Sequence, residues 1–282
     1  MTAIAKAGGE RGRTSRAFAT PARRVGSHRR PEPTGIQQWL ALTRRMIVSM
    51  AKNGALLVAL IAPLVFTLGF YLPLKFVMQV QGIDYAQFLM PIIVLQAMAF
   101  TAISAAQLSA TEAVTGLNDR LHTMPVAALA PLASRMTGGL VRSIVSLAAA
   151  LAYGYAIGFR FTAGPWQALW FCLLSLAVST ALALGADAIG TLSKSPEATS
   201  QALTLPMLIF GMLSCGFVPE TGFPEWIRPF VRNQPISQFS FAMRDMAAGG
   251  VQPSTLWPAL AWIIGLSLAF IPLAVWASVR RK

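Results

Sequence analysis

Long stretches without a single charge constrain this chain more than any other feature. Ala55 to Leu74, Tyr85 to Thr111, Ser143 to Phe159, Phe161 to Ala186, Ala198 to Pro219 and about Pro253 to Val279 carry no Asp, Glu, Lys or Arg. A helix that crosses a bilayer needs about 20 mostly apolar residues. The runs therefore predict an all-α polytopic membrane protein with six transmembrane helices. The third run is short, and Arg142 is expected to snorkel to the interface and lengthen it. Composition agrees: only 12% of the 282 residues are charged and 55% are hydrophobic, against about 25% charged in soluble domains. Intrinsic disorder of the whole chain is excluded by the same numbers.

The formal net charge of +13 is unevenly placed. Basic residues favour cytoplasmic loops. With the N-terminus inside, 18 of the 23 Lys and Arg lie on that side, including Arg120, Arg135 and Arg142 between the second and third runs and Lys194 between the fourth and fifth. Lys75, Arg160, Arg228, Arg232 and Arg244 fall outside. The expectation is N-in and C-in, in an inner or plasma membrane, since outer membranes use barrels.

Residues 1–34 mix Arg, Gly, Ser, Pro and Ala without a hydrophobic period and read as a disordered basic cytoplasmic tail. No apolar core of signal-peptide type stands near Met1, so no cleaved leader is expected. The tail's basic residues suit anionic headgroups or serve only to enforce topology; no nucleic-acid partner is expected. Residues 35–54 form a connecting helix. Ile36, Trp39, Leu40, Thr43, Met46, Ile47 and Met50 recur at helical spacing, with Gln37, Gln38, Arg44, Arg45 and Lys52 largely opposite, the pattern of a helix lying in the membrane interface. Residues 55–282 make the six-span domain.

Catalytic chemistry is poorly provided for. Lys stands only at positions 6, 52, 75, 194 and 282, and none closes a G-x-x-x-x-G-K-[ST] phosphate loop. There is no H-E-x-x-H, no paired acidic motif and no G-x-S-x-G. Cys172 and Cys215 sit in apolar runs and read as packing residues, and His28 and His122 are far apart. No enzyme activity, bound cofactor or metal site is expected. Asp187 is the one carboxylate deep enough to act as a relay; the plainer reading is a helix-end carboxylate near Lys194 or Arg142. Gly154 and Gly158 form a small-xxx-small face, for another subunit or for internal packing. Pro63, Pro73, Pro91, Pro206 and Pro272 are expected to bend their helices. Phe66, Phe70, Met98, Phe100, Met207 and Phe210 are candidates for an apolar substrate path.

Two loops carry more. Between the second and third runs, Asp119, Arg120 and His122 stand beside Leu121 and Met124, which suits a small helix offered to a cytosolic partner. Between the fifth and sixth, residues 216–245 are rich in Pro and aromatics, too apolar for a solvated loop, so re-entrant or interfacial helices are expected there.

At these loops the chain resembles the membrane subunits of type-2 ATP-binding-cassette (ABC) transporters. The likeness rests on Asp119-Arg120-Leu121-His122-Thr123-Met124-Pro125-Val126, then Gly216-Phe217-Val218-Pro219, Pro224-Glu225-Trp226, Pro235-Ile236-Ser237 and Ala242-Met243-Arg244, in that order between matching runs. It extends from about Gly35 to the C-terminus. Gly158-Phe159-Arg160-Phe161 and Phe230 to Phe239 bring it closest to the daunorubicin-resistance type of actinobacteria. The long basic tail departs from the family pattern. The resemblance implies a permease for a hydrophobic drug or polyketide-type lipid, paired with a second six-span subunit, identical or sister. ATP and magnesium would belong to a separate ATPase subunit. Asn118, Asp119, Arg120, Leu121, His122 and Pro125 would form the loop that couples to that ATPase. Pro219, Pro224, Trp226, Pro235 and Arg244 would mark the external segment that caps the path. Two rival expectations stand beside this one: an ion- or proton-driven carrier working without an ATPase through Asp187, and a non-transporting membrane scaffold.

Overall fold

A computed structural model of the chain describes residues 35–80, 82, 84–116, 127 and 129–280. The tail and the loop from Asn118 to Pro125 lie outside the described residues. Among the described residues every regular element is helical: α1 (Gly35–Lys52), α2 (Ala55–Val80), α3 (Tyr85–Val114), α4 (Ala130–Ile157), α5 (Pro165–Leu192), α6 (Pro196–Met212), α7 (Arg228–Asn233), α8 (Pro235–Ala248) and α9 (Pro253–Arg280), with a short 3-10 turn at Glu220–Gly222. Helix starts follow local chemistry. Asp84 accepts from the backbone N–H of Ala86 and Gln87 at the head of α3, and Ser195 accepts from Ala198 at the head of α6, which satisfies donors that a helix start leaves open.

Helix α3 is the axis of the bundle. Leu89, Met90, Ile92, Ile93, Val94, Ala97 and Met98 are fully buried, and the main core gathers around them with Phe159, Phe171, Phe217, Phe239 and Met243. Helices α2 and α9 lie at the periphery and expose Leu57, Val65, Phe76, Trp257, Ile264 and Leu268. So much apolar surface is a liability in water and ordinary in lipid.

Among the described residues five helices are long and apolar enough to cross a membrane: α2, α3, α4, α5 and α9. The fifth predicted run departs from expectation. It is helical only as far as Met212, so α6 has 17 residues and spans about 26 Å at 1.5 Å per residue. The chain then continues through turns, with Gly216 against Ile92 and Phe217 against Phe70.

The third run also differs. Helix α4 begins at Ala130, so Arg135 and Arg142 are not loop residues: both are buried in the bundle. Hydropathy left both outside the third run, with Arg142 at its edge, because it scores each charge singly, blind to partners on neighbouring helices. The small-xxx-small pair separates into two internal roles. Gly154 faces Met90, whose side chain occupies the space a Cβ would need. Gly158 ends the helix at φ 108°, with Phe159 N–H donating to the Gly154 carbonyl at 2.9 Å, a left-handed stop that favours glycine. Another close approach falls at Gly190, where an added Cβ would collide with the Ala106 carbonyl of α3.

Helix α1 keeps the predicted amphipathic face, burying Thr43, Met46 and Met50. Trp39 Nε1 donates to Thr137 Oγ1 of α4 at 3.2 Å. One end of the bundle thus carries α1, the close of α3, the start of α4, and the α5–α6 turn. The other carries the α4–α5 turn and α8, where Thr162 N–H donates to the Ala247 carbonyl at 2.9 Å.

Candidate functional site

Three features of the bundle bear on function. The first is an ion cluster at the α1 end. Arg135 on α4 holds Asp187 on α5 through both oxygens, Nε to Oδ1 at 2.7 Å and Nη2 to Oδ2 at 3.1 Å. Ser109 on α3 donates to the same Oδ1. Glu112, one turn further along α3, lies 3.7 Å from Arg135 Nη1. Asp187 is fully buried. Its partner is therefore Arg135, not Lys194 or Arg142 as the sequence led us to expect. The cluster ties α3, α4 and α5 together. Asn118, Asp119, Arg120, Leu121, His122 and Pro125 lie outside the described residues, in the segment of chain between two members of the cluster. Glu112 precedes that segment and Arg135 follows it. The Ala127 N–H at its far foot donates to Gln38 of α1 at 2.9 Å.

A hydroxyl knot lies deeper. Thr101, Ser143 and Ser179, from α3, α4 and α5, stand within 2.7–3.1 Å of one another. Thr101 Oγ1 lies 2.7 Å from the Met98 carbonyl and Ser143 Oγ 3.0 Å from that of Gly139. Such mutual satisfaction lets hydroxyls stay in an apolar interior.

The second feature is an apolar cavity of about 700 Å³ between α3, α5, α6, α8 and α9. Met207 and Phe210 line it, as do Ala99, Leu182, Phe239 and Phe270. Four other residues of the predicted path lie elsewhere. Met98 is fully buried in the core. Phe66, Phe70 and Phe100 join an aromatic stack, with Phe66 5.0 Å from Phe100 and Phe70 4.2 Å from Phe217. The structure does not bring the six together.

The third feature is a latch across the broken end of α6. Where a helix stops within a bundle, its last carbonyls need donors, and lipid supplies none. Gln234, the cap just before α8, supplies a donor to the end of α6, and Arg244 of α8 supplies donors to the turn that follows. Arg244 donates to the carbonyls of Phe88 (3.1 Å), Cys215 (2.9 Å) and Gly216 (2.7 Å), and its guanidinium stacks 3.6 Å over the Phe88 ring. Gln234 Nε2 donates to Phe210 and Leu213 carbonyls. Ser237 Oγ accepts from Cys215 N–H at 2.9 Å. Burial lowers the Arg244 pKa to about 10, so it remains cationic at neutral pH. Pro235 opens α8 at a position where a missing N–H costs nothing. Pro219 precedes the 3-10 turn, and the Pro224 carbonyl accepts from Ile227 N–H at 3.1 Å. Trp226 is 80% exposed.

Sequence reasoning missed Arg135, Glu112, Ser109, Gln234 and Ser237 as members of these groups. A trace was there: Arg135, Gly139, Arg142 and Ser146 recur every three or four residues, a polar and small stripe that marks a buried helix face. Among the described residues no group of three or more His, Cys, Asp or Glu could hold a metal.

Comparison with known proteins gives this arrangement a context. Residues 72–276 match the family described as ABC-2 family transporter protein. The doxorubicin resistance ABC transporter permease protein DrrB of Mycobacterium tuberculosis is 38% identical over 248 residues, covering 84% of this chain and 86% of that protein. A probable doxorubicin resistance ABC transporter permease protein, DrrC, of the same organism is 28% identical, covering 85% and 88%. A daunorubicin resistance ABC transporter permease protein of Streptomyces coeruleorubidus is 27% identical, covering 68% of each. A family match over most of the chain, on an all-helical bundle of membrane-length helices, makes this protein a member of the ABC-2 transporter permease family.

Proposed function

We propose that the chain is the membrane-spanning subunit of an ATP-driven exporter in the plasma membrane, and that it moves a hydrophobic drug or polyketide-type lipid. The apolar cavity carries this reading. Its volume of about 700 Å³ falls within the roughly 300–1,000 Å³ of small-molecule pockets, and the relatives are named for doxorubicin and daunorubicin resistance. Met207 and Phe210 are the path residues this cavity supports. In this reading α6 and the turns after it together make a sixth crossing, and both termini face the cytoplasm, where most basic residues fall.

ATP and magnesium are handled by a separate ATPase subunit, which docks on Asn118 to Pro125. The Glu112–Arg135–Asp187 cluster supports that role, because displacement of the loop would reach three helices at once. A second permease, a copy or a sister, completes the path. The segment with Pro219, Pro224, Trp226, Pro235 and Arg244 caps it outside. Asp187 has both oxygens engaged, an arrangement that favours a structural tie over a proton relay.

The test uses inverted membrane vesicles containing the chain and its ATPase. Doxorubicin accumulation should require magnesium and ATP and survive a protonophore. Accumulation that needs no ATP and collapses with the proton gradient would establish the ion-driven carrier instead.

A further inference from the structure

A second cavity, of about 410 Å³, opens between α1, α2, α3 and α4. Its wall includes Arg142, a cation that is 4% exposed. Arg142 Nη2 donates to the Thr101 carbonyl at 3.0 Å, but the buried Nε has no partner. Among the described residues no carboxylate lies within ion-pair distance of it. A buried cation without a counter-charge is costly, and the open volume beside it is where an anion would sit.

The surrounding charges agree. Arg45 lines the same cavity, and so does Glu112, which is held by Arg135. Taken with Asp187, the group holds, among the described residues, three guanidiniums and two carboxylates, an excess of one positive charge. The rest of the wall decides between a soluble anion and an amphiphile. Met46, Met50, Val58 and Leu108 supply apolar wall, while Ser49, Asn53, Gln107 and Thr111 supply polar groups. The groove runs along α3 from Glu112 to Ser104, about 12 Å of helix, beside a helix whose amphipathic pattern suits the membrane surface.

We propose that this groove binds an anionic phospholipid of the leaflet on which α1 lies. The phosphodiester would pair with Arg142 and Arg45, and the acyl chains would leave past Met50 and Val58 toward the exposed face of α2. The leaflet is the cytoplasmic one under the orientation proposed above; the binding itself depends neither on that orientation nor on transport.

Electron paramagnetic resonance of the full chain in nanodiscs tests the idea, with spin-labelled phosphatidylglycerol and phosphatidylcholine as probes. Phosphatidylglycerol should be preferentially immobilised. Arg142→Gln should cut that preference about fivefold, the worth of one basic group near a bilayer. Arg45→Gln, an exposed rim substitution that leaves the bundle intact, should also reduce it. Arg44→Gln, on the same helix but outside the groove, should not. Equal immobilisation of the two lipids, or an equal loss in Arg44→Gln and Arg45→Gln, would overturn the proposal. So would displacement of the labelled lipid by millimolar inorganic phosphate, which would make this a site for free anions.

Discussion

Arg135 and Asp187, 52 positions apart in sequence, meet side-on in the interior of the bundle, with Nε 2.7 Å from Oδ1 and Nη2 3.1 Å from Oδ2. Breaking such a pair leaves one charge stranded, at a cost of about 3–5 kcal/mol. Arg135→Ala and Asp187→Ala should each lower the melting temperature in detergent and reduce the monodisperse fraction on gel filtration. The double variant Arg135→Met/Asp187→Leu should recover part of the loss, because it removes both charges of the pair and leaves only the half-buried Glu112 without Arg135. If the double variant is as unstable as the singles together, the pair is not the source of the stability.

Arg244 donates to the carbonyls of Phe88, Cys215 and Gly216. Charge-assisted bonds contribute about 1.5–3 kcal/mol each. Arg244→Gln should loosen the end of α6 and uncover Cys215, which is 1% exposed. The readout is the rate of labelling by a membrane-permeant maleimide in a Cys172→Ala background. An unchanged rate would mean that Gln234 and Ser237 hold the break by themselves.

Ala99 borders the apolar cavity. An Ala99→Trp side chain would fill part of it while leaving the ion cluster and the latch in place. Drug accumulation in vesicles should fall about tenfold, equivalent to roughly 1.4 kcal/mol of lost contact, with ATPase association unchanged. Full transport by a well-folded variant would move the substrate path away from this cavity.

Arg120 lies in the loop proposed to dock on the ATPase. Arg120→Glu should abolish recovery of the ATPase in a pull-down, with membrane insertion and melting temperature unaltered. Retention of full docking and coupling would show that the loop has been assigned wrongly.

Much of this protein is legible without coordinates. Charge-free runs mark the long helices because lipid selects for apolar length, a property each segment carries alone. The face of Met46 and Met50 on α1 is equally local, since a period of 3.6 needs no partner. The loop motifs that carry the family likeness are contiguous strings. The tertiary structure decided whatever depended on a partner. Arg135 and Arg142 look alike in sequence, two basic residues between the second and third apolar runs, yet one is neutralised by Asp187 and the other faces an open groove. Gly154 and Gly158 form one motif in sequence and serve two purposes in space. Helix α6 reads as a complete span by hydropathy but stops at Met212, where Gln234 and Arg244, more than 20 positions further on, bring donors to its end and to the turn after it. Hydropathy measures how a residue prefers to be solvated; which neighbour replaces the solvent is settled only when the helices pack.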